Sequence, residues 1–364
     1  MMKKTLVAAA VLAAVSGAAM AQSSVTLYGV ADVYLANTST TNFVTPGGAS
    51  VKITQPRVDS GGFSGSRWGL RGVEDLGGGL KATFRFESGF DISTGASAQG
   101  GLLFGREAWV GLEGGFGTVR AGRQYTAYDD LYCATDVGYC SSFSPTGGGY
   151  SMNSPSATNP LGSGIWGGVG VKNYNGRVNN SISYATPNIS GFSGQVVLAT
   201  NEDKTANTRA GYNNSLRVQY ANGPLRVGYA HQAERTMTPA AGLVPASSAR
   251  IRYNLVAGTF DFGVAAIQAG YNTTSLAAVR DREYRLGVTV PFGAASMNIG
   301  YAAARTQTNG TTTAKGDGFN VAGLYELSKR TNLYAAYNGM RIRSSSGSDT
   351  AKASTIAVGV RHRF

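Results

Sequence analysis

Arginines recur along this chain one position off large apolar residues. Arg67 and Arg71 bracket Trp68 and Leu70, and Arg85 stands between Phe84 and Phe86 with Glu87 on its own parity. Arg177 opens the run 177–184, in which Ile182 and Tyr184 hold the opposite parity. Arg106 belongs with this set if Trp109 anchors the apolar side, although Val110 and Leu112 share Arg106's parity; Arg120 and Asp32 stand on alternating runs of the same kind. A guanidinium keeps its charge at every accessible pH and only donates hydrogen bonds. A row of them sorts solutes by charge and makes or breaks no bond.

Residues for bond chemistry are sparse. His231 and His362 are far apart, and neither stands in metal or catalytic spacing with a cysteine or a second histidine. No Gly-x-Gly-x-x-Gly follows a strand, and there is no phosphate loop. No catalytic residue, metal or cofactor is expected. The cations are spread along alternating segments rather than clustered with stacking aromatics, which argues against nucleic acid as a partner.

The elements carrying these residues are strands. Val25, Leu27, Gly29, Ala31, Val33 and Leu35 alternate with Thr26, Tyr28, Val30, Asp32 and Tyr34. Leu80, Ala82, Phe84 and Phe86 alternate with Lys81, Thr83, Arg85 and Glu87, and the chain ends with Ser354, Ile356, Val358, Val360, His362 and Phe364 on one side. Period two over such lengths is a strand with one apolar face. The composition agrees: 51 glycines in 364 residues, 19 tyrosines, and only 14% charged residues with 32 Lys+Arg against 20 Asp+Glu. That much glycine excludes long helices, and 42% hydrophobic residues exclude disorder as the main state.

Residues 1–21 read as a cleaved signal peptide. Lys3 and Lys4 precede an apolar run over 6–15, and Ala19-Met20-Ala21 has the form of a cleavage site. In the remainder, 22–364, connections alternate in length. Short ones include 74–78, 291–294 and 327–330; long ones include 37–60, 126–170, 273–278, 307–315 and 344–349. They separate sixteen strands, with both termini on the short-turn side. An open sheet of this size leaves exposed edges, and in a bilayer every backbone N–H and C=O must be paired, so the sheet must close. The expected fold is all-β, a sixteen-stranded antiparallel transmembrane barrel with short periplasmic turns, long external loops and a water-filled lumen.

Cys133 and Cys140 are the only cysteines and lie within the long connection 126–170. Secretion puts them in an oxidising compartment. Six intervening residues, Gly138 among them, bring two Cα atoms within the roughly 4.4–6.8 Å of a disulfide. Two free thiols remain the alternative.

Several long motifs resemble one family. Ser24-Val25-Thr26-Leu27-Tyr28-Gly29-Val30-Ala31-Asp32, Ser66-Arg67-Trp68-Gly69-Leu70-Arg71-Gly72-Val73-Glu74-Asp75-Leu76-Gly77, Phe104-Gly105-Arg106-Glu107-Ala108-Trp109-Val110-Gly111-Leu112, Gly117-Thr118-Val119-Arg120-Ala121-Gly122-Arg123-Gln124 and the ending Val358-Gly359-Val360-Arg361-His362-Arg363-Phe364 are similar to the Gram-negative general porins of the neisserial and Burkholderia type. The resemblance implies a homotrimer in the outer membrane, among its lipids and lipopolysaccharide. It also implies an inward-folded third loop at about 126–170, and a terminal Phe364 read by the barrel-insertion machinery or serving as an interfacial aromatic. The anion-selective members imply a constriction wall of Arg67, Arg106 and Arg177; parity supports Arg67 and Arg177 independently. Arg85 joins that wall with Glu87 as counter-charge, and Arg71, Arg120 and Asp32 are further lumen candidates. The resulting expectation is passive diffusion of small hydrophilic solutes, anionic or neutral, with a preference for anions. A saturable channel for phosphate or organic acids at the same arginines, and an adhesin acting through its loops, stay open as alternatives.

Overall fold

The computed structural model describes residues 24–43, 50–146, 174–200, 211–238 and 247–364. The expected signal peptide at 1–21 lies outside them, as does the stretch 147–173 of the expected constriction loop. The strands are β1 (Ser24–Phe43), β2 (Ser50–Ser60), β3 (Arg67–Gly77), β4 (Leu80–Gly89), β5 (Glu107–Gly114), β6 (Gly117–Tyr125), β7 (Arg177–Ala185), β8 (Phe192–Thr200) and β9 (Tyr212–Asn222). They continue as β10 (Leu225–Thr238), β11 (Ser247–Asp261), β12 (Ala266–Leu276), β13 (Val279–Phe292), β14 (Ala295–Thr308), β15 (Thr311–Glu326), β16 (Thr331–Ser344) and β17 (Asp349–Arg363). All lie in one antiparallel sheet that β1 and β17 close, Val30 facing Arg363 and Asn42 facing Ala351. β2 pairs with residues 33–43 of β1 and β3 with residues 24–30. These two segments are one stave interrupted at 61–66, so the barrel has sixteen staves.

The barrel is apolar outside and polar inside. On β1, Val25, Leu27 and Leu35 are 68, 60 and 59% exposed, whereas Asp32, Tyr34 and Ala36 on the other parity are buried. Leu286, Ile299 and Ile356 point out while Gln232, Asn272, Glu283 and Asn320 are buried within. This inverts the arrangement of a water-soluble sandwich and suits a hydrocarbon surround. Among the described residues no helix is long and apolar enough to cross a membrane, so the strands do the crossing.

Two segments expected as long connections, 273–278 and 307–315, are mostly strand, whereas 344–349 keeps its non-strand residues 345–348 between β16 and β17. β13 to β17 run for 14, 14, 16, 14 and 15 residues, against the roughly 9–11 that cross a bilayer. The extra Thr-, Ser- and Gly-rich length continues the hydrogen-bond ladder past the apolar belt. β14 and β15 join through Asn309-Gly310, with φ of 50° and 81°. That left-handed pair makes a two-residue hairpin turn.

Two segments leave the wall and fill part of the interior. Residues 61–66 turn inward over Asp32, whose carboxylate accepts the backbone N–H groups of Gly62 (3.0 Å), Phe63 (2.9 Å) and Ser64 (2.8 Å) and the Tyr334 hydroxyl (2.5 Å). After β6 the chain enters the barrel as helix α1 (Ala127–Ala134). The sequence reading treats this stretch only as loop, but the Thr126 hydroxyl accepts the Asp129 N–H at 3.2 Å, and Asp129 and Asp130 occupy the first turn. Both are helix-start signals.

Candidate functional site

Helix α1 is fixed to one side of the interior. Tyr128, Leu131 and Tyr132 are fully buried against Ala230, Tyr253 and Leu255 of β10 and β11. The Tyr128 hydroxyl donates to Asn272 (3.1 Å). The Arg285 guanidinium of β13 lies over the Tyr132 ring (3.9 Å to its centroid) and donates to the Thr135 hydroxyl (2.8 Å) and the Tyr132 carbonyl (3.2 Å). Cys133 and Cys140 are joined by a disulfide with Cα atoms 5.0 Å apart. Beyond it, Val137 seats on Gly287 and Gly300, where an added Cβ would fall 2.3 and 2.4 Å from its side chain. Phe143 then packs among Tyr34, Phe63 and Tyr334 of the opposite lining. Residues 126–146 therefore run across the inside of the barrel.

The arginines occupy the wall formed by β3 to β7. Glu87 accepts Arg106 Nε at 2.6 Å and the Tyr28 hydroxyl at 2.8 Å, and lies 3.6 Å from Arg67 Nε. The Tyr125 hydroxyl accepts Arg106 Nη2 (2.7 Å) and Arg177 Nη2 (2.5 Å), with the Arg177 guanidinium 4.4 Å from the Tyr125 ring centre. Three guanidinium groups thus converge on one carboxylate and one phenol. Arg85 is set apart: it pairs with Glu107 at 2.7 Å. Arg71 lies over the Tyr28 ring at 5.2 Å and Arg120 over the Trp109 ring at 4.3 Å.

Two reasons given by parity do not hold. Trp109 is no lipid-side anchor. It is buried on the face of Glu107, to which its Nε1 donates at 2.7 Å. Arg106 reaches Glu87 because it precedes β5 rather than obeying that strand's alternation. For Arg177, one extra residue on β7 between the pairs Gly122–Ser181 and Gln124–Val178 shifts the register. Asn180 sits there with φ 48°, a bulge that flips the parity above it. Val178 therefore takes the face of Ser181 and Ser183, and Arg177 joins the cluster through Tyr125. Asp32 faces inward as expected, yet it is fully buried under 61–66 and anchors that segment instead of lining open space.

Other participants went unread in the sequence: Tyr125, the shared acceptor; Glu107; and Asp130 on α1, 3.9 Å from Arg217. Burial inside the barrel pushes the Asp130 carboxyl up from the ordinary aspartate range, against the opposing pull of Arg217. Phe364 closes the seam. Its N–H and carbonyl exchange hydrogen bonds with Gly29 at 3.1 and 3.0 Å, and its ring covers the space a Gly29 side chain would need.

A family profile described as Gram-negative porin matches residues 8–345. An outer membrane porin protein of Bordetella pertussis is 33% identical over 412 residues, and outer membrane porin protein 32 of Delftia acidovorans is 32% identical over 386; both alignments cover 100% of each chain. Among solved structures, the anion-selective porin from Comamonas acidovorans superposes with a TM-score of 0.72 at 25% identity, covering 94% of this chain and 100% of that one. An outer membrane protein of Vibrio cholerae in its trimer form gives 0.66 at 16% identity, covering 94% and 99%, a likeness of fold alone.

Proposed function

Because the chain belongs to the Gram-negative porin family and is an outer membrane porin, we propose that it passes anions in preference to cations through a constriction walled by Arg67, Arg106 and Arg177. The observation that carries this reading is the convergence of three guanidinium groups on one carboxylate and one phenol, Arg67 and Arg106 on Glu87 and Arg106 and Arg177 on Tyr125. Their fixed charge sits in a partly filled lumen, where the Debye screening of about 8 Å at physiological salt acts less fully than on an open surface. Local anion concentration rises and cations meet a barrier. The name of the Comamonas acidovorans structure, an anion-selective porin, supports the same reading. Arg85, neutralised by Glu107, contributes little net field, while Arg71 and Arg120 extend the cationic track along the wall. In this reading the disulfide and the Arg285 contacts hold 126–146 as the facing wall, and Phe364 serves as the mark by which the insertion machinery reads the chain.

The test is electrical. In planar bilayers with a KCl gradient, the wild type is expected to give reversal potentials on the chloride side. The double variant Arg67→Ser/Arg177→Ser is expected to lower the chloride-over-potassium permeability ratio by roughly threefold or more, with a larger conductance from the lost side-chain volume. Unchanged reversal potentials would sink the assignment. Saturation of the current by phosphate or an organic acid would convert it into a substrate-specific channel.

A further inference from the structure

Asp32 stands apart from the arginine cluster, yet the hydrogen bonds that begin at its carboxylate reach both walls of the passage. The residue is fully buried on the inner face of β1. Each carboxylate oxygen accepts two donors: Oδ1 takes the Gly62 N–H and the Tyr334 hydroxyl, and Oδ2 the N–H groups of Phe63 and Ser64. A carboxylate offers about four lone-pair sites, so its capacity is filled. The Asp32 backbone is tied as well. Its N–H donates to Ser66 Oγ at 3.1 Å, and its carbonyl accepts the Gly61 N–H at 2.8 Å and the Ser66 hydroxyl at 3.0 Å. A buried charge must be hydrogen-bonded or paired, and here the bonding fixes residues 61–66 to β1.

The segment so fixed has attachments on two further sides. Toward the arginines, the Gly65 carbonyl accepts Arg67 Nη1 at 2.9 Å, and a Cβ added at Gly65 would fall 3.2 Å from Arg106 Nη1. Toward the crossing segment 126–146, the Gly62 carbonyl accepts the Ser142 N–H at 3.0 Å, and the Gly61 carbonyl accepts the Ser142 hydroxyl at 3.1 Å. The Phe63 ring packs against Phe143 and Tyr334, with centroids 5.4 and 4.9 Å away. At Gly62 an added Cβ would fall 2.1 Å from the Tyr334 hydroxyl oxygen, so the fit leaves no space for a side chain. Residues 61–66 thus join an arginine of the constriction to the far end of the segment that faces it.

On the reading that anions pass between Arg67, Arg106 and Arg177 and the segment 126–146, on which this inference rests, we propose that Asp32 is a positioning residue of the passage. Through 61–66 it sets the separation between Arg67 and the Ser142–Phe143 end of the crossing segment, and with it the aperture and the anion preference. A functional constellation keeps its geometry only when the groups behind it are themselves locked. Asp32 is where the locks on 61–66 meet. Asparagine has nearly the same shape but one acceptor oxygen and a donating amide. In Asp32→Asn, the two donors at the amide lose their acceptor and meet another donor, so 61–66 loosens together with both of its attachments. The direction of the outcome is diagnostic. Loss of a negative charge by itself raises chloride preference, whereas displacement of Arg67 lowers it.

Single-channel recording of the full-length protein in planar bilayers under a KCl gradient tests the assignment. Asp32→Asn should replace one conductance level by two or more interconverting levels, with heat-modifiable gel migration kept. It should also lower the chloride-over-potassium permeability ratio by about twofold. In an Arg67→Ser background the same substitution should leave the ratio nearly unchanged, because the two residues act as one unit. If Asp32→Asn folds poorly, Ser142→Ala and Tyr334→Phe, each lacking one bond of the chain, are read for added conductance levels. A single level in Asp32→Asn, or in both substitutes, would overturn the proposal. So would a raised ratio, or an equal change in both backgrounds. A wild type without chloride preference would defeat the selectivity reading instead, while the number of conductance levels would still report on Asp32.

Discussion

Glu87 and Tyr125 gather the arginines, and only one of them was legible beforehand. Arg67, Arg85 and Glu87 lie on β3 and β4 where alternation is regular, so counting from Trp68, Phe84 and Phe86 gives their side correctly. Arg106 and Arg177 sit where the count fails, at a strand start and beyond the bulge at Asn180, and Trp109 spends its large ring on the polar side. Nothing in a single sequence marks Tyr125 as their common acceptor. The pH response should come from Asp130, which faces Arg217 across the interior. Burial raises its carboxyl's pKa, so as pH falls from about 7 to about 4 it takes up a proton earlier than an ordinary aspartate. Each protonation removes a negative charge from the lumen, so chloride preference should climb over that range. Asp130→Asn should show the higher preference already at neutral pH and a flatter curve. Parallel reversal-potential curves for the two proteins would exclude Asp130 as the group responsible.

At the level of elements, the sixteen staves were readable because apolar–polar alternation persists on nearly every one. Their lengths were not, because the alternation fades where β13 to β17 rise past the apolar belt although backbone pairing continues. Helix α1 was missed for a related reason. Its eight residues are too few to show a helical period, and only the Thr126 cap and the two following aspartates announce it. What keeps the inward segment still is more than its disulfide, which in the chain-entropy view contributes about 2–3 kcal/mol for so short a ring. Arg285 ties Tyr132, Thr135 and Asp136 to β13. Arg285→Met removes these ties and leaves Asp136 without its nearest cation, a change worth about 3–5 kcal/mol when buried. Single-channel traces of that variant should show added flicker at full barrel stability on heat-modifiability gels. Traces as quiet as wild type would assign the holding role elsewhere.

For the whole molecule, one side of the barrel differs from the other. β4, β5 and β8 present Phe84, Phe86, Val110, Leu112, Val196 and Leu198 outward and no outward cation, whereas β13 to β16 carry Arg282, Arg305, Lys315 and Arg343 outward in one cross-strand row. A barrel surrounded evenly by lipid has no reason for this asymmetry. Contact between copies through β4, β5 and β8 would supply one. The trimer that the family resemblance implies predicts three times the protomer mass by native mass spectrometry in mild detergent. A lone protomer under conditions that preserve heat-modifiability would count against trimeric assembly.

The seam between β1 and β17 also governs when this protein can begin to exist as a barrel. Val30 meets Arg363, and Gly29 exchanges hydrogen bonds with Phe364. Ring closure therefore waits until β17 and Phe364 have been synthesised, more than 300 residues after the strand they meet. Contacts this distant along the chain form slowly. Until they do, two strand edges stand open to pairing with any neighbour. Translation order thus forbids domain-by-domain maturation, and the chain must travel to its membrane unclosed, its lifetime in transit limited by aggregation and by how soon an escort covers those edges.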